Sequence, residues 1–162
     1  LDFVVAAPSA GGVTTGNVTE LYSAVLARLP DAPGVQFYQH YLAGNPTTSA
    51  LTLAEWFLLS PEYANNQAHA YAQSAAGDGQ FITDTYQNLL HRTPDTGAVP
   101  FYQKVVDQFT AGLTPGTAAY ATAQMQGHAQ VLVYFSASAE FLGDVQITAQ
   151  HPADAQHWLY VI

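Results

Sequence analysis

An all-α domain made of two repeated multi-helix units is encoded in the pattern of these 162 residues. Three observations support this. Apolar residues recur at steps of three and four, the period of one helix face, rather than alternating as in a strand. Pro, Gly and Asn stand where those stripes end. A block of sequence also returns 64 residues later in the same order: Tyr22, Arg28, Pro30, Asp31, Phe37 and Tyr38 match Tyr86, Arg92, Pro94, Asp95, Phe101 and Tyr102. A further block, Phe57 to Tyr63, matches Phe135 to Phe141 at an offset of 78, so the second unit carries 14 extra residues between its second and third blocks. Self-similarity at a fixed spacing is a signature of repeated supersecondary units.

Residues 1–16 read as a lead-in, with a flexible Pro8-Ser9-Ala10-Gly11-Gly12 stretch. Asn17 is placed to cap a first helix, with Glu20 three residues on as its capping-box partner. Val18, Leu21, Tyr22, Val25, Leu26 and Leu29 form its stripe and Pro30 stops it. Asp31-Ala32-Pro33-Gly34 has turn composition. Val35 to Leu42 gives a second helix, ended by Gly44-Asn45-Pro46. Thr48 or Ser49 caps a third, over Leu51 to Leu58, and Ser60 with Glu62 starts a shorter piece. Gly77-Asp78-Gly79 is expected to separate the units, giving 17–76 and 77–143.

The second unit repeats the plan. Ile82, Tyr86, Leu89 and Leu90 form one stripe and Pro94 stops it. Val99 to Phe109 forms the next helix, and Gly112 to Gly116 a turn. A long helix follows from Thr117 to Phe135, with Gly127 as its soft spot. Val131 to Phe135 has strand composition, but its repeat mate, Ala54 to Leu58, has a helical pattern. Residues 144–162 form a tail ending in the apolar run Trp158, Leu159, Tyr160, Val161 and Ile162.

Composition excludes several functions. Net charge is −9, with only Arg28, Arg92 and Lys104 basic. Nucleic-acid affinity rests on Lys and Arg neutralising phosphates, so no nucleic-acid partner is expected. Anionic membranes are disfavoured for the same reason. No apolar run reaches the length of a membrane span, so no membrane insertion is expected. The absence of Cys removes disulfide and thiol chemistry. Charged residues make up 9%, against about 25% in ordinary globular proteins, which leaves Gln, Asn, Thr, Ser and Ala to cover the surface. The chain opens on Leu1-Asp2-Phe3-Val4-Val5, without Met or a basic leader, and is expected to be a piece of a longer protein.

The duplicated arginines read as structural. Arg28 is expected to pair with an acid of its own unit, Asp31 or Glu62, and Arg92 with Asp95 or Glu140. A planar guanidinium suits such bidentate contacts. The six His residues show no metal-ligand spacing and each Asp turn supplies a single carboxylate, so neither metal nor cofactor is expected. No nucleophile elbow, phosphate loop or dinucleotide fingerprint occurs, and no catalytic residue is assigned. Among the aromatics, Trp56, Tyr63, Tyr71 and Tyr120 are the least constrained by the repeat. Their rings, beside Asn and Gln, are candidates for stacking on sugars.

The series Leu21-Tyr22, Arg28, Pro30-Asp31, Gly34, Phe37-Tyr38, Phe57, Ser60, Glu62-Tyr63 and its second copy resemble the domain-of-unknown-function 4214 family. The second copy runs Tyr86, Arg92, Pro94-Asp95, Gly97, Phe101-Tyr102, Phe135, Ser138 and Glu140-Phe141. The likeness spans residues 18 to about 142. It departs from the family pattern at Gly97, one residue early in its turn, and at the insertion, which points to a groove particular to this chain. The resemblance implies an all-helical fold with no catalytic residues, in modules of secreted or surface-attached bacterial proteins. Among these are surface-layer proteins, type I secreted calcium-repeat proteins and polysaccharide-associated proteins.

The function expected from these readings is a non-enzymatic structural, anchoring or interaction module of a larger exported bacterial protein, located outside the cell or at its surface. Other domains of its parent chain or surface-assembly proteins are the expected partners. A carbohydrate-binding module, with a surface polysaccharide as partner, is the alternative. The apolar tail Trp158 to Ile162 is similar to a C-terminal type I secretion signal.

Overall fold

The computed structural model describes residues 15–65 and 71–136 of the chain. The described residues are all-helical. They comprise α1 (Thr15–Leu26), α2 (Ala32–Gly44), α3 (Ala50–Leu58), α4 (Pro61–Asn65), α5 (Ala75–Leu90), α6 (Ala98–Thr110) and α7 (Ala118–Ser136). None is long and apolar enough to cross a membrane.

Local side-chain caps set most helix starts. Asp31 accepts from the Gly34 N–H at 2.7 Å and opens α2, so the Asp31–Gly34 segment is the first turn of a helix and not a separate turn. Ser49, rather than Thr48, opens α3, accepting from the Thr52 N–H at 3.1 Å. Ser74 caps α5 and Thr117 Oγ1 accepts from the Tyr120 N–H at the start of α7. Asn17 lies inside α1, which begins at Thr15 and so ahead of the start that the capping-box reading gives it. Helix α1 also stops before Leu29 and Pro30. Ala27 takes a left-handed φ of 50°, and its repeat mate His91 does the same at 51° after α5. A left-handed residue after the last helical one is a common way to end a helix.

Repeat mates pack on each other: α1 lies against α5, and α3 against α7, with α6 alongside α7. The core is continuous across both units, from Val18, Val25, Leu53 and Phe57 to Ile82, Leu89, Val106, Val131 and Phe135. Each unit holds the same aromatic trio. Tyr22 meets Phe57 edge-on at 4.9 Å, and Tyr86 meets Phe135 at 4.8 Å. Tyr38 stacks on Phe57 at 5.4 Å, and Tyr102 on Phe135 at 4.8 Å. Offset and edge-to-face geometries of this kind are the favoured ones for ring pairs.

Gly77-Asp78-Gly79 does not separate the units. It forms part of the beginning of α5, where Asp78 is 2% exposed. A Cβ on Gly77 would stand 1.9 Å from the Ala72 carbonyl oxygen, so only glycine fits that approach. The insertion mainly lengthens α7 at its N-terminal end: Phe135 is the eighteenth residue of α7, whereas Phe57 is the eighth of α3. Gly127 is not a soft spot in that helix. It is buried, and a Cβ there would stand 2.9 Å from Val106 Cα, so it permits the close packing of α6 on α7.

The lengthened α7 packs along α6, which buries Ala98, Tyr102, Val106 and Thr110. Unit one has no such lengthening, and its corresponding helix α2 has no buried residue. Phe37 is consequently 61% exposed, while its mate Phe101 is half-buried against the core.

Candidate functional site

Arg28 lies over the Tyr22 ring, 4.8 Å from its centre, and grips Glu62 with two nitrogens, Nε to Oε1 at 2.5 Å and Nη2 to Oε2 at 2.8 Å. Its third nitrogen, Nη1, donates to the Leu29 carbonyl at 3.0 Å. This contact joins the end of α1 to α4, 34 residues on. The bonded guanidinium holds the Glu62 carboxyl below its ordinary range. Arg92 repeats the ring contact over Tyr86 at 5.0 Å, pairs with Asp95 at 3.0 Å and donates to the Thr93 carbonyl. Asp31 is the cap of α2, and Glu140 lies outside the described residues. Side-chain exposures of 32–49% make both ion pairs surface contacts rather than a buried charge site.

The polar centre of the domain is elsewhere. Asp78 on α5 is buried, and its Oδ1 receives Gln124 Nε2 at 2.7 Å and pairs with His128 Nε2 at 2.8 Å. Gln124 Nε2 also donates to the Ala72 carbonyl at 3.0 Å. Both of its partners are acceptors, which fixes the amide with its nitrogen towards Asp78. The His128 ring stacks on Phe81, 3.9 Å between centres and 3° from parallel, and Tyr71 meets both rings edge-on. Burying these polar groups would be costly without such partners.

Beside this cluster is an open cleft of about 190 Å³, lined by Tyr63, Tyr71, Gln73, Gln124, Met125 and His128 among others. Tyr71 donates to Asp84 Oδ2 at 2.8 Å, and Gln80 Nε2 donates to the other carboxylate oxygen, Oδ1, at 2.7 Å. Burial, followed by that hydrogen bond, pushes the Tyr71 hydroxyl well above the usual phenol range. Burial, followed by the charge of Asp84, does the same to Tyr63. No group of three or more His, Cys, Asp or Glu suited to holding a metal ion occurs among the described residues.

The four candidate sugar-stacking rings are dispersed. Tyr63 and Tyr71 come together in the cleft. Trp56, 36% exposed, lies in a different aromatic group: Tyr41 meets its ring at 5.1 Å and also stacks with Phe37 at 6.4 Å. Tyr120 is 8% exposed and presents no ring to solvent, a correction to its place among the sugar-stacking candidates. Trp158, Leu159, Tyr160, Val161 and Ile162 lie outside the described residues.

Sequence reasoning missed Asp78, Gln124 and His128. Asp78 reads as a spacer because glycines flank it. Gln124 falls in the insertion, where the repeat offers no mate. The available signal was on α7: His128 precedes Val131, Leu132 and Phe135 by three, four and seven residues, which places a titratable group on an apolar face. No protein-family model, curated protein sequence or solved structure matches this chain.

Proposed function

We propose that this domain is a non-enzymatic interaction module of a larger exported bacterial surface protein, and that its contact face is the aromatic outer side of α2 and α3. One observation carries this reading: the helix whose mate is covered in unit two has no buried residue in unit one, and it presents Phe37 and Tyr41 beside Trp56. Helix α2 contains no Asp, Glu, Lys or Arg within a chain of net charge −9, which makes it an uncharged contact surface. Contiguous exposed apolar surface marks interaction sites, and aromatic residues are enriched at them. The duplicated arginines and their acids are engaged in ion pairs and helix caps, which supports a structural rather than a chemical use of the charged residues.

The test is cosedimentation of the purified domain with the isolated cell surface of the producing bacterium. Wild type is expected in the pellet, and a Phe37→Ser/Trp56→Ser variant of unchanged melting temperature in the supernatant. Equal partitioning of the two proteins overturns the proposal.

Carbohydrate recognition is the second reading. Its support is the grouping of Tyr63 and Tyr71 with side-chain amides in one cleft. A glycan array that includes bacterial surface polysaccharides tests it, and the absence of saturable binding to any glycan removes it.

A further inference from the structure

We infer that the cleft beside Asp78 and His128 is a binding site for one neutral sugar ring. This site serves the carbohydrate reading above and depends on it. Its hydrogen-bonding capacity follows from the buried cluster. Gln124 uses its amide nitrogen on Ala72 and Asp78, which leaves Oε1 as an acceptor with no partner among the described residues. With Nε2 engaged by Asp78, the other ring nitrogen of His128, Nδ1, also has no partner among them. Gln73 accepts from the Gly116 N–H through Oε1 at 2.7 Å and keeps its Nε2 donors. An amide oxygen, an imidazole nitrogen and an amide donor, on residues that also line a cleft with two tyrosines and a methionine, suit a ligand that carries hydroxyls on an apolar ring.

Charge and size narrow the class. Gln124 and His128 both bind Oδ1 of Asp78, and Tyr71 and Gln80 donate to the two oxygens of Asp84. Neither Asp nor any other carboxylate of the described residues lines the cleft, so a ligand cation has no counter-charge there. None of the three Lys and Arg side chains lines the cleft, so an anion meets no permanent cation there. A volume of about 190 Å³ lies below the roughly 300–1,000 Å³ of sites for drug-sized ligands, and suits one sugar ring.

Leu58, Tyr63, Tyr71 and Gln73 form one wall of the cleft and residues of α7 the other. Gln124 lies in the lengthened part of α7, so the insertion that breaks the repeat also builds this site. Asp78 acts as a positioning residue: it holds the His128 ring and the Gln124 amide without itself lining the cleft.

The experiment is an amide-resolved NMR titration of the whole chain with neutral hexoses, N-acetylhexosamines and choline. Saturable shifts with a neutral sugar, centred on Tyr63, Tyr71 and Ala121 to His128, are expected. Ala121 is an exposed residue of α7 on the cleft wall, so Ala121→Trp fills the cleft while leaving the core intact, and should abolish binding. Trp56→Ala should leave binding unchanged. Sugar binding that survives Ala121→Trp but is lost in Trp56→Ala overturns this site while carbohydrate recognition stands. Preference for choline over every sugar overturns the ligand class. No saturable shift with any sugar overturns both the site and the carbohydrate reading.

Discussion

Asn88 donates a hydrogen bond, at 3.4 Å, to the carbonyl of Ala24, its own repeat mate 64 residues earlier. A residue that touches its counterpart stands close to the axis relating the two copies. The same relation appears at larger scale, with α1 on α5 and α3 on α7. Each unit thus uses its mate to complete the core, as expected for repeats too small to bury enough apolar surface alone.

Removal of the His128 ring should destabilise the domain strongly. His128→Ala takes a partner from buried Asp78 and the stacking face from Phe81. Breaking a buried polar pair from one side costs about 3–5 kcal/mol. For a chain of this length that lowers the melting temperature by on the order of 10 °C. Thermal and urea unfolding measure it, and a loss under about 1 kcal/mol contradicts the account.

The Arg28–Glu62 pair should stabilise weakly and in a pH-dependent way. Both side chains are substantially exposed, so Arg28→Lys or Glu62→Gln should cost at most about 1 kcal/mol. The folded Glu62 carboxyl sits below its unfolded value of 4.5, so its contribution is present above that pH. It is lost as pH falls through the depressed folded value. The melting-temperature gap between wild type and Glu62→Gln should therefore be full at neutral pH and close in acid.

Gly127→Ala should be destabilising despite the higher helix propensity of Ala, worth about 1 kcal/mol. The new methyl would press on the Val106 backbone, and overpacking of this kind costs about 1–3 kcal/mol. Gly44→Ala, at a position with nothing within 4 Å, is the control and should be neutral or stabilising. Equal effects at the two sites, measured by chemical denaturation, would show that helix packing does not discriminate them.

Ala27→Gly and His91→Gly should each stabilise the domain. Both residues hold a left-handed φ near 50°, which costs a residue with a Cβ roughly 1–2 kcal/mol relative to Gly. The greater freedom of Gly in the unfolded chain offsets part of that gain. A fall in melting temperature for either variant refutes the reading of these positions as unoptimised helix ends.

Three tyrosines should resist ionisation until the protein unfolds. Burial pushes the Tyr38 hydroxyl up to about 12 and those of Tyr63 and Tyr71 higher still. Each group favours the folded state below the unfolded phenol value of 10.0, and loses that contribution as pH rises through its folded value. Alkaline titration of phenolate absorbance should show a late, cooperative rise that coincides with loss of helical circular dichroism. A single smooth titration of all ten contradicts this.

The all-helical class, the two-unit plan and most of the core were determined by the sequence itself. The period of the apolar stripes and the duplicated Tyr22/Tyr86, Phe57/Phe135 and Tyr38/Tyr102 positions are local or repeated signals that survive without coordinates. Helix ends were less legible. Asn17 and Pro30 have cap and stop chemistry, yet α1 starts before one and ends before the other, because a left-handed turn at Ala27 competes with the proline stop. The polar centre was decided only by the tertiary structure. Gln124 and His128 lie 46 and 50 residues beyond Asp78 along the chain, and no local pattern records their meeting. The same holds for the exposure of Phe37 against the cover over Phe101. Their sequence positions are equivalent, and the difference arises from the longer α7, which packs along α6 and not along α2.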